Sequence, residues 1–392
     1  MSDERDGTFP RRFGKYTLID RVAEGGMAEI YLAVEDNEHA ASRFVTIKRI
    51  RSEHATDPDY NEFFLTEGRV SLACAHPNLP QVFELGQADG SYYLAMEYIR
   101  GHTLLDLLRG AIRAQRLPSL NTVLCVAIEV AAALEHVHGL RAVDGAPLDV
   151  IHRDVTPQNI MLTAAVTVKL IDFGIVRSTV QTHKTRTGIV KGKFAYMAPE
   201  QINGYRTMDQ RADLFALGIV MWESLAARPL FRRQGEFDTI EAVRTCRVPA
   251  LDGIRNDVPQ PVFDVVCTTL RADPNKRYQN ATHLLTALEA AARDCGLVPS
   301  RTDLRAELLE LCGAPAAPQL PKKRRALGSE SDSDAAAQPP RRAHTELIAP
   351  AGPKSGISRD PLLLYFLRKA GVHIDDPAPA HPDSDATAAA DS

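Results

Sequence analysis

The sequence predicts an α+β fold of two unequal lobes, a small β-rich one over about residues 16–98 and a larger α-helical one over about 99–290. Three observations predict it. Short segments rich in β-branched and aromatic residues crowd into the first hundred residues, and long amphipathic segments take over from Leu120. Periodic apolar patterning then stops near residue 313, where Pro, Ala and clustered charge dominate. A hydrophobic share of 44% and a charged share of 24% are ordinary for a globular chain, and 392 residues are enough to bury a sizeable core. The formal net charge of −4 gives no overall reason to expect nucleic acid or an anionic membrane as partner.

Residues 1–15 are polar and charged, lack the apolar core of a signal peptide and read as an N-terminal extension. Strands are expected at Tyr16–Ala23, Ile30–Val34, Phe44–Ile50, Val82–Gln87 and Tyr92–Tyr98, with one helix, Asn61–Ala75, among them. Leu120–Leu140, Asp209–Leu225, Gln260–Leu270 and Ala281–Ala292 carry the helical period of the second lobe. Ser300-Arg301-Thr302-Asp303 has the form of a capping box and opens a short helix over 300–312, with Leu304, Leu308 and Leu311 on one face. Residues 313–360 read as a disordered linker and 361–392 as a tail, with a short amphipathic helix expected near Asp360–Ile374. The six cysteines are scattered singly with no C-x-x-C pair, which points to reduced thiols and a cytoplasmic setting. No apolar stretch reads as long enough to span a bilayer.

The chemistry lies in short motifs. Val22-Ala23-Glu24-Gly25-Gly26-Met27-Ala28-Glu29-Ile30 sits between the first two strands, a glycine-containing turn whose backbone can approach phosphate. Val45-Thr46-Ile47-Lys48 puts a lysine on the third strand, Met96-Glu97-Tyr98-Ile99 ends the fifth, and Asp172-Phe173-Gly174 follows the strand-like Val168–Ile171. The strongest signal is Ile151-His152-Arg153-Asp154-Val155-Thr156-Pro157-Gln158-Asn159, because an Asn five residues after the Asp of His-Arg-Asp, with Asp-Phe-Gly soon afterwards, is rare by chance.

In order and spacing these motifs resemble those of protein kinases, over residues 16 to about 290, and their wording is most similar to bacterial kinases of the eukaryotic-like (Hanks-type) serine/threonine type. The resemblance implies a two-lobed kinase fold, ATP and Mg²⁺ as cofactors, and protein substrates bearing Ser or Thr hydroxyls. It implies that the turn Val22–Ile30 covers the phosphates of ATP, that Lys48 grips the α- and β-phosphates, and that Glu67, rather than Glu62, holds Lys48. Met96 is then the gatekeeper beside adenine, with the backbone of Glu97 and Ile99 in the hinge; Asp154 accepts the substrate proton; Asn159 and Asp172 hold the metal.

Ala198-Pro199-Glu200 closes the activation segment, with Arg277 as the expected partner of Glu200 and Asp213 as the expected support of the catalytic loop. Thr187, then Thr185, are the expected autophosphorylation sites, with Arg153 as the receiver of the phosphate. His136 and His138 read as ordinary helix histidines.

Three departures weigh against the pattern: Ala23 and Ala28 stand where glycines are usual, and Thr156 replaces a lysine that contacts the γ-phosphate. Lys193 is the candidate replacement for that charge. A pseudokinase acting as an ATP-binding scaffold is the alternative these departures favour, and a small-molecule phosphotransferase of similar fold a more remote one. In the tail, Thr345-Glu346-Leu347-Ile348 suits a phosphothreonine-reading partner, whereas the basic run Lys322–Arg325 and acidic run Glu330–Asp334 read as solvated linker.

Overall fold

The structure, a computed structural model, describes residues 9–35, 42–142, 144–173, 193–204 and 208–319. Thr185, Thr187, Gly174, Thr345 and the expected helix Asp360–Ile374 lie outside the described residues.

The small lobe is an antiparallel six-stranded sheet of β1 (Arg11–Phe13), β2 (Tyr16–Glu24), β3 (Ala28–Glu35), β4 (Arg43–Ile50), β5 (Val82–Ala88) and β6 (Ser91–Glu97), in the order β1-β2-β3-β4-β6-β5. Alternation sorts its two faces. Tyr16, Leu18, Tyr31, Ala33, Val45, Ile47, Tyr93 and Ala95 form one buried cluster, and Ala28, Ile50 and Leu94 form another with Phe64. Phe64 belongs to α1 (Pro58–Ala73), which the Asp57 carboxylate caps at the amides of Asp59 and Tyr60 and which opens with Pro58, three residues before the expected start. The N-terminal extension is corrected in part. Phe13 of β1 is buried in the first cluster, edge-on to Tyr93, so the sheet begins before residue 16.

The large lobe is built on α3 (Leu120–His138) and α5 (Arg211–Ala226), the latter buried along nearly its whole length. Around them stand α2 (Leu104–Arg113), α4 (Pro199–Ile202), α6 (Glu236–Thr245), α7 (Gln260–Thr269), α8 (Ala281–Asp294) and α9 (Arg301–Cys312). A small sheet of β7 (Gly101–Thr103), β8 (Ile160–Thr163) and β9 (Val168–Leu170) lies at the junction of the lobes. The reading of the sequence did not pick out α2, which a reciprocal Thr103–Asp106 capping box starts directly from β7. At α9 the Ser300 hydroxyl accepts from the amides of Thr302 and Asp303, and Leu304, Leu308 and Leu311 are buried. The start of the stretch counted with the linker is held to the lobe: His102 bonds the Gly313 carbonyl at 3.1 Å and Arg100 the Pro315 carbonyl at 2.8 Å.

One expectation about length is overturned. The 19 residues of α3 are apolar and long enough to cross a membrane by length and composition, yet 67% of that stretch is buried in the lobe, as in a core helix.

Candidate active site

The turn Gly25-Gly26-Met27 closes the β2–β3 hairpin, with the Gly25 amide bonded to the Ala28 carbonyl at 2.9 Å. Its carbonyls are held from below. The Met27 carbonyl accepts from the Arg51 amide at 3.1 Å, and the Gly25 carbonyl from the Arg51 guanidinium at 3.3 Å. The Gly26 carbonyl lies 3.1 Å from the His54 ring, which stacks on Tyr60 of α1 at 4.1 Å between centroids. Ala28 has a physical reason to be other than glycine: its methyl group is buried in the cluster with Ile50, Phe64 and Leu94.

The register turns Ile30 to the same side of the sheet as its cross-strand neighbour Lys48, and Glu29 to the opposite side. Glu29 is accordingly buried with Tyr31, whose hydroxyl it accepts at 2.7 Å, and with Arg21. The Glu29 side chain thus belongs to the outer face of the sheet, away from Lys48. Val22 and Ala23 are exposed at the end of β2, and Glu24 pairs with Arg51 at 2.7 Å.

Lys48 forms an ion pair with Glu67 and lies 3.4 Å from the Asp172 carboxylate. Glu67 reaches it because α1 packs tightly on the sheet next door: a Cβ on Gly68 would come within 2.9 Å of Leu85. Among the described residues Glu62 shows no such pairing; its electrostatic neighbour is Arg69. Burial would lower the Lys48 pKa, but the two carboxylates outweigh it and hold the ammonium above its ordinary value. Asp172 is the more open partner, its side chain 38% exposed, and has a left-handed backbone with φ of 58°.

In the segment joining α3 to β8, Arg153 also takes a left-handed backbone, with φ of 65°. Asp213, at the start of α5, determines this conformation. One carboxylate oxygen accepts the His152 amide at 2.7 Å and His138 Nε2 at 2.8 Å; the other accepts the Arg153 amide at 2.7 Å. Burial would raise the Asp213 pKa, yet the His138 bond and charge, the His152 ring and the Arg153 amide together hold it below the usual carboxylate range. His138 is therefore no ordinary helix residue. Nothing in its own neighbourhood in sequence signals a partner 75 positions away.

The buried His152 ring lies 5.0 Å from that of Phe173, and burial lowers its pKa, so it packs as a neutral group. Arg153 is half-buried, and burial depresses its guanidinium despite the nearby Asp213. Thr156 is buried, and its carbonyl accepts the Asn159 amide at 3.0 Å.

Asn159 donates its side-chain amide to the Asp154 carboxylate at 2.8 Å and to the Asp154 carbonyl at 2.9 Å. This holds Asp154 and assigns the Asn159 nitrogen, so its amide oxygen points away from Asp154 as an acceptor. The Ile171 amide bonds the Asn159 carbonyl at 2.8 Å, which joins the segment carrying Asn159 to the one carrying Asp172. One carboxylate and one amide oxygen, beside a lysine ammonium, fit a hard divalent ion shared with phosphate oxygens. Among the described residues no group of three or more His, Cys, Asp or Glu side chains offers an all-protein metal cage.

Met96 stands opposite Thr46 in the β4–β6 ladder, two residues along from the Lys48–Leu94 pair. The Glu97 side chain is engaged by Lys169, at 2.9 Å, and by the Gln81 amide, at 3.1 Å, while its own amide donates to the Gln81 carbonyl at 2.8 Å; Ile99 follows, half-buried. Across the large lobe, Glu200 and Arg277 form a buried bidentate pair with both bonds at 2.7 Å. Lys193 begins a single 3₁₀ turn, Lys193–Tyr196, and its side chain lies outside what is described.

Comparison with known proteins agrees with this geometry. The family model described as the protein kinase domain matches residues 16–287. Tyrosine-protein kinase MasK of Myxococcus xanthus is 39% identical over 277 residues, covering 71% of this chain and 43% of its own. Serine/threonine-protein kinase PknB of Mycobacterium leprae is 32% identical over 288 residues, 71% and 43% of the two chains, and PrkC of Bacillus subtilis 28% over 278 residues, 71% and 40%. The chain thus spans less than half the length of these curated relatives. The crystal structure of the Mycobacterium tuberculosis PknI kinase domain superposes with a TM-score of 0.54 at 25% identity, covering 72% of this chain and 98% of that one. By its matched residues and its two-lobed fold, the chain belongs to the protein kinase domain family.

Proposed function

We propose that this kinase transfers the γ-phosphoryl group of ATP to serine or threonine hydroxyls of proteins, with Mg²⁺ as the metal, and phosphorylates its own activation segment at Thr187 or Thr185. The observation that carries the reading is the convergence of Lys48, Glu67 and Asp172, tied through the Ile171–Asn159 backbone bond to Asp154, which Asn159 holds. That set supports phosphoryl transfer because the reaction needs positioning and charge neutralisation more than covalent participation. Lys48, kept charged by two carboxylates, binds phosphate oxygens. Asp154 orients the acceptor hydroxyl and takes its proton, while Asn159 keeps that carboxylate in one rotamer. When bound, the metal neutralises charge on the β- and γ-phosphates; Asp172 and the Asn159 oxygen are the residues to hold it. Arg153 is the proposed receiver of the activation-segment phosphate, and Lys193 the proposed replacement for the cation absent at Thr156.

Serine and threonine are favoured over tyrosine because the segment Val155-Thr156-Pro157-Gln158 lacks the Ala-Ala-Arg or Arg-Ala-Ala usual in tyrosine kinases, and because PknB and PrkC are named as serine/threonine kinases. Tyrosine is the second reading, favoured by the name of MasK at 39% identity.

The test is incubation of the full chain with γ-labelled ATP and Mg²⁺, followed by phosphoamino-acid analysis and mass-spectrometric site assignment, with Asp172→Ala as control. Label on Ser or Thr that disappears in the control is the expected result. Label on Tyr overturns the specificity, and nucleotide binding without label leaves a scaffold. Lys193→Ala with undiminished turnover would remove that residue from the scheme.

A further inference from the structure

Helix α9 begins 14 residues beyond the stretch matched to the kinase domain, yet it is fastened to the large lobe along its length. Its leucines are buried, and the α2 backbone comes so close that a Cβ on Gly110 would lie 2.7 Å from the Leu311 carbonyl. The buried Glu307 accepts from Arg116 at 2.8 Å and from the Ser119 amide at 3.1 Å; Ser119 is the residue that caps α3. Beyond the helix, Arg100 and His102, which follow the hinge directly, hold the carbonyls of Pro315 and Gly313.

The first residue of α9, Arg301, pairs with Glu129 in the middle of α3. Among the described residues it is the only ion-pair partner of that buried carboxylate. The other oxygen of Glu129 accepts the Asn78 side-chain amide at 2.7 Å and the Val168 amide at 3.0 Å. Asn78 also donates to the Val168 carbonyl at 2.7 Å and accepts the Leu170 amide at 2.9 Å. Glu129 thereby joins two structures: the turn after α1, the helix bearing Glu67, and β9, which runs into Asp172 two residues later. Removing the cation from such a buried pair leaves its charge uncompensated, and the contacts built on the carboxylate are destabilised with it.

We propose that α9 is a built-in clamp on the active site and Arg301 its positioning residue, acting through Glu129 on Asn78 and β9 to keep Glu67 and Asp172 aligned about Lys48. The proposal rests on the phosphotransfer reading above, and its test separates the two.

Full-length Arg301→Ala, Arg301→Lys, Glu129→Gln and Arg301→Ala/Glu129→Gln proteins are compared by initial rates of label incorporation from γ-labelled ATP into a generic basic substrate protein. Amide hydrogen exchange is followed over residues 76–79 and 168–172. Arg301 is 55% exposed on its side chain, so water replaces part of what it supplies, and the coupling of a contacting pair sets a roughly three- to tenfold effect. Arg301→Ala is expected to lower kcat by that factor with KM for ATP changed less, and to speed exchange in both segments. Arg301→Lys should recover most of the loss, and Arg301→Ala should have no further effect in the Glu129→Gln background. A lower Tm with kcat and both exchange rates unchanged would reduce α9 to a structural brace and overturn the proposal, as would an undiminished Arg301→Ala effect in Glu129→Gln. If the wild type transfers no label, the functional reading fails, and the exchange rates alone decide the clamp.

Discussion

Asp213→Asn is the most informative single change, because it keeps shape and removes one acceptor. Three donors converge on Asp213: the amides of His152 and Arg153 and the Nε2 of His138, all within 2.8 Å. An asparagine has one oxygen for them. With that oxygen facing His152 and His138, two charge-assisted bonds become neutral ones, each weaker by about 1 kcal/mol. The NH₂ group then faces the Arg153 amide, donor against donor, at an orphaning cost of about 1–3 kcal/mol. The sum, about 3–5 kcal/mol, is a large part of the roughly 5–15 kcal/mol that stabilises a typical domain. Some of it returns when Arg153 leaves its left-handed backbone, which itself costs about 1 kcal/mol or more.

At about 2 °C per kcal/mol for a domain of this size, Tm should fall by roughly 6–10 °C. Displacing Asp154, next in the chain, should lower phosphoryl transfer by roughly a hundredfold, the typical penalty for misplacement on the scale of an ångström. Calorimetry, hydrogen exchange over residues 151–155 and the labelled-ATP assay read the three effects. A variant that melts within a degree of the wild type, with unchanged exchange at 152–154, would refute the claim that Asp213 holds this segment.

Other perturbations have equally definite outcomes. Arg277→Met strands the buried Glu200 and vacates the carbonyls of Arg271, Arg211 and Ala272, so urea titration should show about 3–5 kcal/mol of lost stability, and adding Glu200→Gln should recover part of it. Glu67→Gln should weaken ATP use sharply while Glu62→Gln leaves it near the wild-type rate, because of these two helix carboxylates it is Glu67 that pairs with Lys48; equal losses would undo that distinction. His76 and His136 stack at 5.2 Å, and each ring accepts a backbone amide, from Asn78 and Ala75 respectively. Burial lowers both pKa values, and for His76 the neighbouring His136 and Lys169 add to it. The unfolded chain then binds these protons more readily than the folded one, so stability is full above the ordinary histidine value of 6.5 and declines as pH falls below it. Tm measured at pH 7.5 and 5.5 should drop in the wild type and drop less in His76→Gln/His136→Gln; parallel drops would exclude the pair.

What could be read from the sequence follows the distance over which each feature is encoded. The strands and long helices were legible because alternation and helical period are local, and their ends shift by a few residues where a cap such as Asp57 decides. The segment His152–Asn159, Lys48 and Asp172 stand out in the sequence because the kinase-like motifs they belong to set residue types at fixed spacing. Glu29 shows the limit: in sequence it closely follows the glycine-containing turn, but strand register turns its side chain to the outer face beside Tyr31. His138 and Glu129 were illegible for another reason. Each looks like any residue of an amphipathic helix, and its role exists only through partners such as Asp213 and Arg301, brought near by folding.

The carbonyl contacts of the β2–β3 turn have a kinematic consequence. Tyr60 of α1 stacks on His54, His54 bonds Gly26, and Arg51 bonds both Gly25 and Met27. Asn61 of the same helix bonds the Ala55 carbonyl at 2.9 Å, closing the linkage. A rotation of α1 that separates Glu67 from Lys48 must therefore drag the hairpin tip with it or break these bonds. Helix and hairpin, elements that sequence alone would treat as two independent moving parts, share one degree of freedom.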